Sequence, residues 1–314
     1  MDMKTLPNFF IVGAARSGTT SLDQYLRQHP EVYVTPRKET HFFATDFFPP
    51  YFTGPGDERL NELLIRNEEQ YAQLFTDVAG AKAIGEASAF YLGFPGTAEL
   101  IAQAVPDAKI IIILREPVAR TYSAYMMLLR DGRETLGLEE GLSREAERKQ
   151  KGFEPIWWYK ELSLYYKQVK HYLDVFGTQQ VKVLLYEELF AHSGEVLSDV
   201  FSFLRVKEDV DINTSVRYNI SGVPKSRGFY TLLDNIIYNP SVLEKRIKSL
   251  VPLQLRVAWA SRIIGMSVDR VSMNPQEQAR LKAYFADDVG NLEDLLHRDL
   301  LCWQYREPSI MQRS

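Results

Sequence analysis

The chain reads as an α/β protein built on a central parallel sheet flanked by helices. Three observations predict this. Phe9-Phe10-Ile11-Val12-Gly13 is an apolar run that ends in a glycine-bounded loop and continues into a helical pattern with Leu22, Tyr25 and Leu26. Ala108-Lys109-Ile110-Ile111-Ile112-Ile113-Leu114 is a continuous apolar run, the mark of a strand buried on both faces of a parallel sheet. Strand and helix patterns alternate along the first two thirds of the chain, which places helices on both faces of one sheet.

The elements follow in order. A strand over 8–13 leads to a helix over 19–28 and a short strand over 32–34. Residues 42–56 are irregular and rich in Phe, Pro and Gly. A helix over 68–75, a strand over 82–86 and a helix over 96–104 precede the strand at 109–114. Pro117 opens a helix over 117–130, since proline suits the first helical turn. Residues 131–155 are charged and read as a loop with a short helix over 138–147, placed as a lid. An amphipathic helix over 157–176, a strand at Val181–Leu185 and a helix over 193–203 come next. Residues 211–230 read as loop, and the remainder as helical with breaks at Pro240, Pro252 and Pro275. No boundary for a second core is visible, so residues 1–314 read as one domain with tails at 1–7 and 304–314.

Composition narrows the class. The chain has 314 residues, 45% hydrophobic and 25% charged, with a net charge of −4. This is ordinary for a globular core and argues against broad nucleic-acid binding. A single cysteine, Cys302, permits no intrachain disulfide and fits a reducing compartment; beside Trp303 it reads as buried. No run reaches the ~20 apolar residues of a membrane span, and residues 1–7 lack a signal-peptide core. The expectation is a soluble, cytoplasmic protein.

The first loop is a phosphate cradle, with backbone N–H groups and a helix N-terminus aimed at an anion. Gly13 to Gly18 keeps the G-x-x-x-x-G spacing of nucleoside-triphosphate binders, but Thr19 stands where those have Lys, and the cation sits earlier at Arg16. The strand 109–114 ends in Arg115-Glu116-Pro117, not in a magnesium-supporting acid. Ser123 lies two helical turns on, a spacing that lets Arg115 and Ser123 meet on one anion.

Arg16-Ser17-Gly18-Thr19-Thr20 and Arg115-Glu116-Pro117 with Ser123 together resemble the two nucleotide motifs of the sulfotransferases that use 3′-phosphoadenosine-5′-phosphosulfate (PAPS). The similarity runs from about Asn8 to Trp303. It implies a P-loop-like three-layer sandwich. It also implies that Arg16, Ser17, Gly18, Thr19, Thr20 and Ser21 hold the 5′-phosphosulfate, and that Arg115 and Ser123 hold the 3′-phosphate. Lys225, Arg227 and Gly228 stand where the family closes a late basic loop over that phosphate; a plain solvated loop is the competing reading. No metal is implied, and the product is 3′-phosphoadenosine-5′-phosphate (PAP).

Pro36-Arg37-Lys38-Glu39-Thr40-His41-Phe42-Phe43 resembles the Glu-x-His-Phe-Phe motif of the heparan-sulfate branch, which makes Glu39 the general base. His41 is the second candidate, since small-molecule members use a His. The competing reading of Glu39 is a surface carboxylate paired with Lys38 or Arg37. Arg16 replaces the family's usual Lys, and Ala87 in Gly85-Glu86-Ala87-Ser88 replaces another. Glu86 and Ser88 are either site residues or a strand-end cap. Tyr186 is a packing residue or a pocket wall. The aromatics of 42–52 and 157–166 read as core, with an acceptor pocket as the alternative. The acceptor is a small molecule, lipid or glycan. The rival functions are a kinase with a degenerate phosphate loop and a non-catalytic nucleotide-binding protein.

Overall fold

The computed structural model describes residues 6–78, 80–215, 223–224, 268–269 and 273–303. Lys225, Arg227 and Gly228 and the breaks at Pro240 and Pro252 lie outside them.

Five strands form one parallel sheet: β1 (Phe9–Gly13), β2 (Val32–Val34), β3 (Ala83–Ala87), β4 (Lys109–Leu114) and β5 (Val181–Leu185), in the order β2-β3-β1-β4-β5. Phe9 pairs with Gly85 on one side of β1 and with Lys109 on the other. Side-chain alternation splits the apolar runs between two cores. Phe9, Ile11, Ile111 and Ile113 face one layer, with Leu22, Leu26, Val200 and Phe201 from helices. Phe10, Val12, Ile110, Ile112 and Leu114 face the other, with Ile101, Tyr172 and Phe285. This is why β1 and β4 lack a polar face. The result is a three-layer P-loop-like sandwich.

The helices are α1 (Thr19–Leu26), α2 (Glu58–Leu63), α3 (Glu68–Gln73), α4 (Thr97–Ala104), α5 (Pro117–Arg130), α6 (Leu138–Ser143), α7 (Glu145–Gln150), α8 (Tyr165–Phe176), α9 (Tyr186–Ala191) and α10 (Ser193–Leu204). A 22-residue helix, Pro275–Leu296, and a 3₁₀ turn, Leu301–Trp303, close the described chain; Pro275 starts the helix, with Asn274 as its cap. A two-residue antiparallel ladder pairs Val223–Pro224 with Val268–Asp269.

Four expectations are corrected. The helix expected over 157–176 begins at Tyr165; short 3₁₀ turns at Pro155–Trp157 and Glu161–Ser163 precede it, because Asp57 and Glu145 capture backbone and indole N–H groups there. The single helix over 138–147 is two, α6 and α7. The segment 131–155 is also anchored: Arg148 pairs with buried Glu134 at 2.6 Å, and Arg133 bridges Asp57 and Glu154. Finally, Cys302 is exposed while Trp303 is buried, since the last turn points the indole inward to Glu187.

Candidate active site

The carboxyl ends of β1, β3 and β4 meet at one edge, where open parallel sheets bind ligands. The loop after β1 turns into α1 through Gly18, at φ 95°. A Cβ there would lie 3.0 Å from the Tyr186 ring and would need a backbone conformation that side chains resist. No side chain caps α1, and its first turn has no acid. Its positive dipole end therefore favours an anion. Ser17 and Ser21 are fully buried in this turn.

Arg115 and Ser123 come to the same place from β4 and α5. Glu116 caps α5, accepting from Val118 N at 3.1 Å and Ala119 N at 2.6 Å, and Pro117 takes its first position. The sequence Arg-Glu-Pro therefore starts the helix that carries Ser123. The Arg115 guanidinium lies 4.7 Å from the centre of the half-buried Tyr186 ring. Arg16 Nε donates to Ser123 Oγ at 3.2 Å, and Arg115 Nη1 to the Arg16 carbonyl at 3.4 Å. Burial, with Arg130 and Arg115 nearby, brings the Arg16 guanidinium down to about 9. Asp131, paired with Arg130 at 2.9 Å, offsets part of this crowding of cations, which favours anions in the site.

The third segment follows β2. Arg27 pairs with Asp23 at 2.9 Å and donates to Val34 O at 2.8 Å, tying α1 to the strand end. The chain then runs beside β3, with Glu39 N donating to Ala87 O at 2.9 Å. Buried Glu86 organises the turn from below. Thr40, Ser88, Tyr71 and Tyr91 all donate to its carboxylate. Burial raises its pKa against these hydrogen bonds. Ser88 Oγ in turn accepts from His41 N at 3.0 Å. Glu86 and Ser88 thus act as struts beneath the loop.

The Glu39 carboxylate accepts from Ala89 N at 2.8 Å, and its Oε1 lies 3.0 Å from Lys38 Nζ. Burial pushes this carboxyl up, but Lys38 and the Ala89 N–H more than reverse the shift and leave it below its ordinary value. His41 is fully buried, stacked on Phe90, with Nε2 3.3 Å from Glu39 Oε2 in poor hydrogen-bond geometry. Burial brings its pKa down to about 4. At neutral pH it is an uncharged ring behind Glu39, whereas the Glu39 side chain keeps 28% of its surface open. A proton acceptor must touch its substrate, and of the two only Glu39 is reachable.

Five non-glycine residues have left-handed backbone among those described: Arg16 (φ 71°), Glu39 (60°), His41 (50°), Arg205 (58°) and His297 (48°). The last two end helices, where such a turn is common. The first three lie together in this site, and strained backbone of this kind collects at functional centres.

Reading the sequence missed three contributors. Lys38 sends its ammonium to Thr20 Oγ1 at 2.9 Å and Thr19 Oγ1 at 3.2 Å. Arg120, wholly buried, donates to Ala15 O and Tyr159 O, each at 2.9 Å, and so backs the phosphate loop. Tyr71 was invisible because it reaches Glu86 from within α3, on a separate element. Arg37 points away, holding the carbonyls of Glu62 and Leu63. Phe43, Phe48, Phe52, Trp157, Trp158, Tyr159 and Tyr165 pack in the core, while Phe47 and Tyr51 are exposed. Among the described residues no cluster of His, Cys, Asp and Glu is arranged to hold a metal, and no helix is long and apolar enough to cross a membrane.

Residues 7–209 match the model of the sulfotransferase family. The chain belongs to that family. A solved sulfotransferase from Alicyclobacillus acidocaldarius is 43% identical, with a TM-score of 0.76 over 96% of this chain and 99% of that one. The membrane-associated sulfotransferase kil1 of Dictyostelium discoideum is 38% identical over 120 residues, 38% of this chain and 22% of that protein. Human heparan sulfate glucosamine 3-O-sulfotransferase 3B1 is 25% identical over 204 residues, 65% of this chain and 47% of that one. This sulfotransferase thus spans less than half the length of these curated relatives.

Proposed function

We propose that this sulfotransferase moves the sulfuryl group of PAPS to an acceptor hydroxyl or amine, with Glu39 as general base. The observation that carries the reading is the convergence of two cationic anion sites on one open carboxylate. Arg16 and the uncapped start of α1 form the first, Arg115 and Ser123 the second, and a 3.2 Å hydrogen bond between Arg16 and Ser123 joins them. A nucleotide with phosphates at both 5′ and 3′ positions matches two such sites. A triphosphate chain needs only the first.

In this reaction the acceptor oxygen attacks sulfur and a new S–O bond forms. Its proton passes to the Glu39 carboxylate. The bond from sulfur to the bridging phosphate oxygen breaks, and its electron pair stays on the 5′-phosphate of PAP. In this reading Arg16, Thr19, Thr20 and the start of α1 hold the charge that develops there. His41, neutral and packed on Phe90, limits the directions open to Glu39. The exposed Phe47 and Tyr51 and the half-open Glu39 suit a small-molecule, lipid or glycan acceptor. The human relative named a heparan sulfate glucosamine 3-O-sulfotransferase supports the carbohydrate choice.

The test is incubation with PAPS and a chelator over phenolic, aliphatic and glycan acceptors, scoring PAP release. Wild type turns over at least one, and Glu39→Gln loses a factor of about 10² to 10⁴ in kcat, the range for removal of a general base. Turnover of ATP with magnesium in place of PAPS would favour the kinase alternative and overturn the reading.

A further inference from the structure

We propose that Lys38 is a direct ligand of the donor's 5′-phosphosulfate and supplies the point cation at the breaking S–O bond, while Arg16 serves the boundary with the 3′-phosphate. This rests on the sulfuryl-transfer reading above and adds a residue and a division of labour to it.

Lys38 reaches across 18 and 19 residues of sequence to the hydroxyls of Thr20 and Thr19, the first two residues of α1. It also touches Glu39 Oε1 at 3.0 Å. An ordinary surface ion pair needs only its carboxylate, and gains little. Lys38 is instead held against the positive end of a helix, which repels a cation unless an anion lies between them. Its placement is fixed by its surroundings. Glu39 N is bonded to Ala87 O, Thr40 is pinned to Glu86, and Arg37 is turned the other way by the carbonyls of α2. The backbone at Glu39 has φ 60°, so this reversal sends consecutive side chains to opposite tasks.

Arg16 has a different orientation. Its Nε is spent on Ser123 Oγ, toward the second anion site. A planar guanidinium turned toward Ser123 suits a position between two phosphates; a compact ammonium suits a single oxygen on which charge develops. With donor bound, the Lys38 ammonium exchanges the two threonine hydroxyls for phosphosulfate oxygens. The hydroxyls are then released to donate to the same group.

The experiment is a pair of titrations, PAP against adenosine 3′-phosphate, with wild type, Lys38→Met and Lys38→Arg, followed by kcat with PAPS. Thermal unfolding of each variant checks the fold. For Lys38→Met, PAP affinity falls about 10-fold or more while adenosine 3′-phosphate affinity holds within about 2-fold, and kcat drops about 10² to 10³, as for loss of a charge-stabilising donor. Lys38→Arg recovers affinity more than rate. Unchanged PAP affinity and rate in Lys38→Met, or equal loss for both nucleotides, would overturn the assignment. Failure of the wild type to bind either nucleotide would overturn the sulfuryl-transfer reading itself, and this assignment with it.

Discussion

His41 has the clearest pH signature of any residue in the site. Its pKa falls from an ordinary 6.5 to about 4 on burial. A base with a depressed folded pKa binds fewer protons folded than unfolded across this window. Its contribution is therefore present above pH 6.5 and lost as pH falls through 4. Between pH 7 and pH 5 the loss is about 2 kcal/mol for this one group. Denaturant unfolding at the two pH values should show a fall of this order in wild type and a much smaller one in His41→Asn, which tolerates the left-handed backbone. An equal fall in both proteins would remove His41 as the cause. Glu39 and His41 were legible as candidates from sequence because they sit in a compact motif. Their difference in exposure was not, because it is one of depth: one ring is sealed under Phe90 and one carboxylate is open. Lys38 was beyond reach for a related reason. Its partners are near in space only because β2 returns the chain to the edge where α1 begins.

At the scale of elements, the turn from β1 into α1 sets the position of Arg16 and of the uncapped helix start. Gly18 allows this turn at φ 95°, and its missing Cβ leaves room for Tyr186, whose ring backs Arg115. Gly18→Ala should destabilise the protein by roughly 1–3 kcal/mol, the cost of a side chain in a disfavoured backbone region. It should also weaken PAP binding by displacing Tyr186. Denaturation midpoints and a PAP titration read the two effects separately; a variant with wild-type values for both would show that the turn tolerates Cβ. Elements with a strong pattern were readable beforehand. β1 and β4 are continuous apolar runs, and α5 begins at a proline after a capping acid. The short helix α2 was not, since it buries one residue, Leu60, and so leaves no periodic signal. The helix start at Tyr165 was misplaced because the aromatics of 157–164 bury themselves without helical spacing, held by Asp57 and Glu145 from distant segments.

Over the whole molecule, the two apolar layers of the sheet do the organising. They fix β1 between β3 and β4, and so bring three loops that are far apart in sequence to one edge. The chain can then keep a net charge of −4 while gathering Arg16, Lys38, Arg115 and Arg120 around a single edge. The selectivity proposed for a nucleotide with separated phosphates rests on this arrangement and not on any one loop. The measurement that tests it most directly is calorimetric titration with PAP in the absence of magnesium, beside Arg115→Ala and an ATP control. Tight PAP binding, weakened at least 10-fold in Arg115→Ala and far exceeding ATP binding, is the predicted result. ATP binding equal to PAP binding, or PAP binding indifferent to Arg115, would contradict the two-site arrangement.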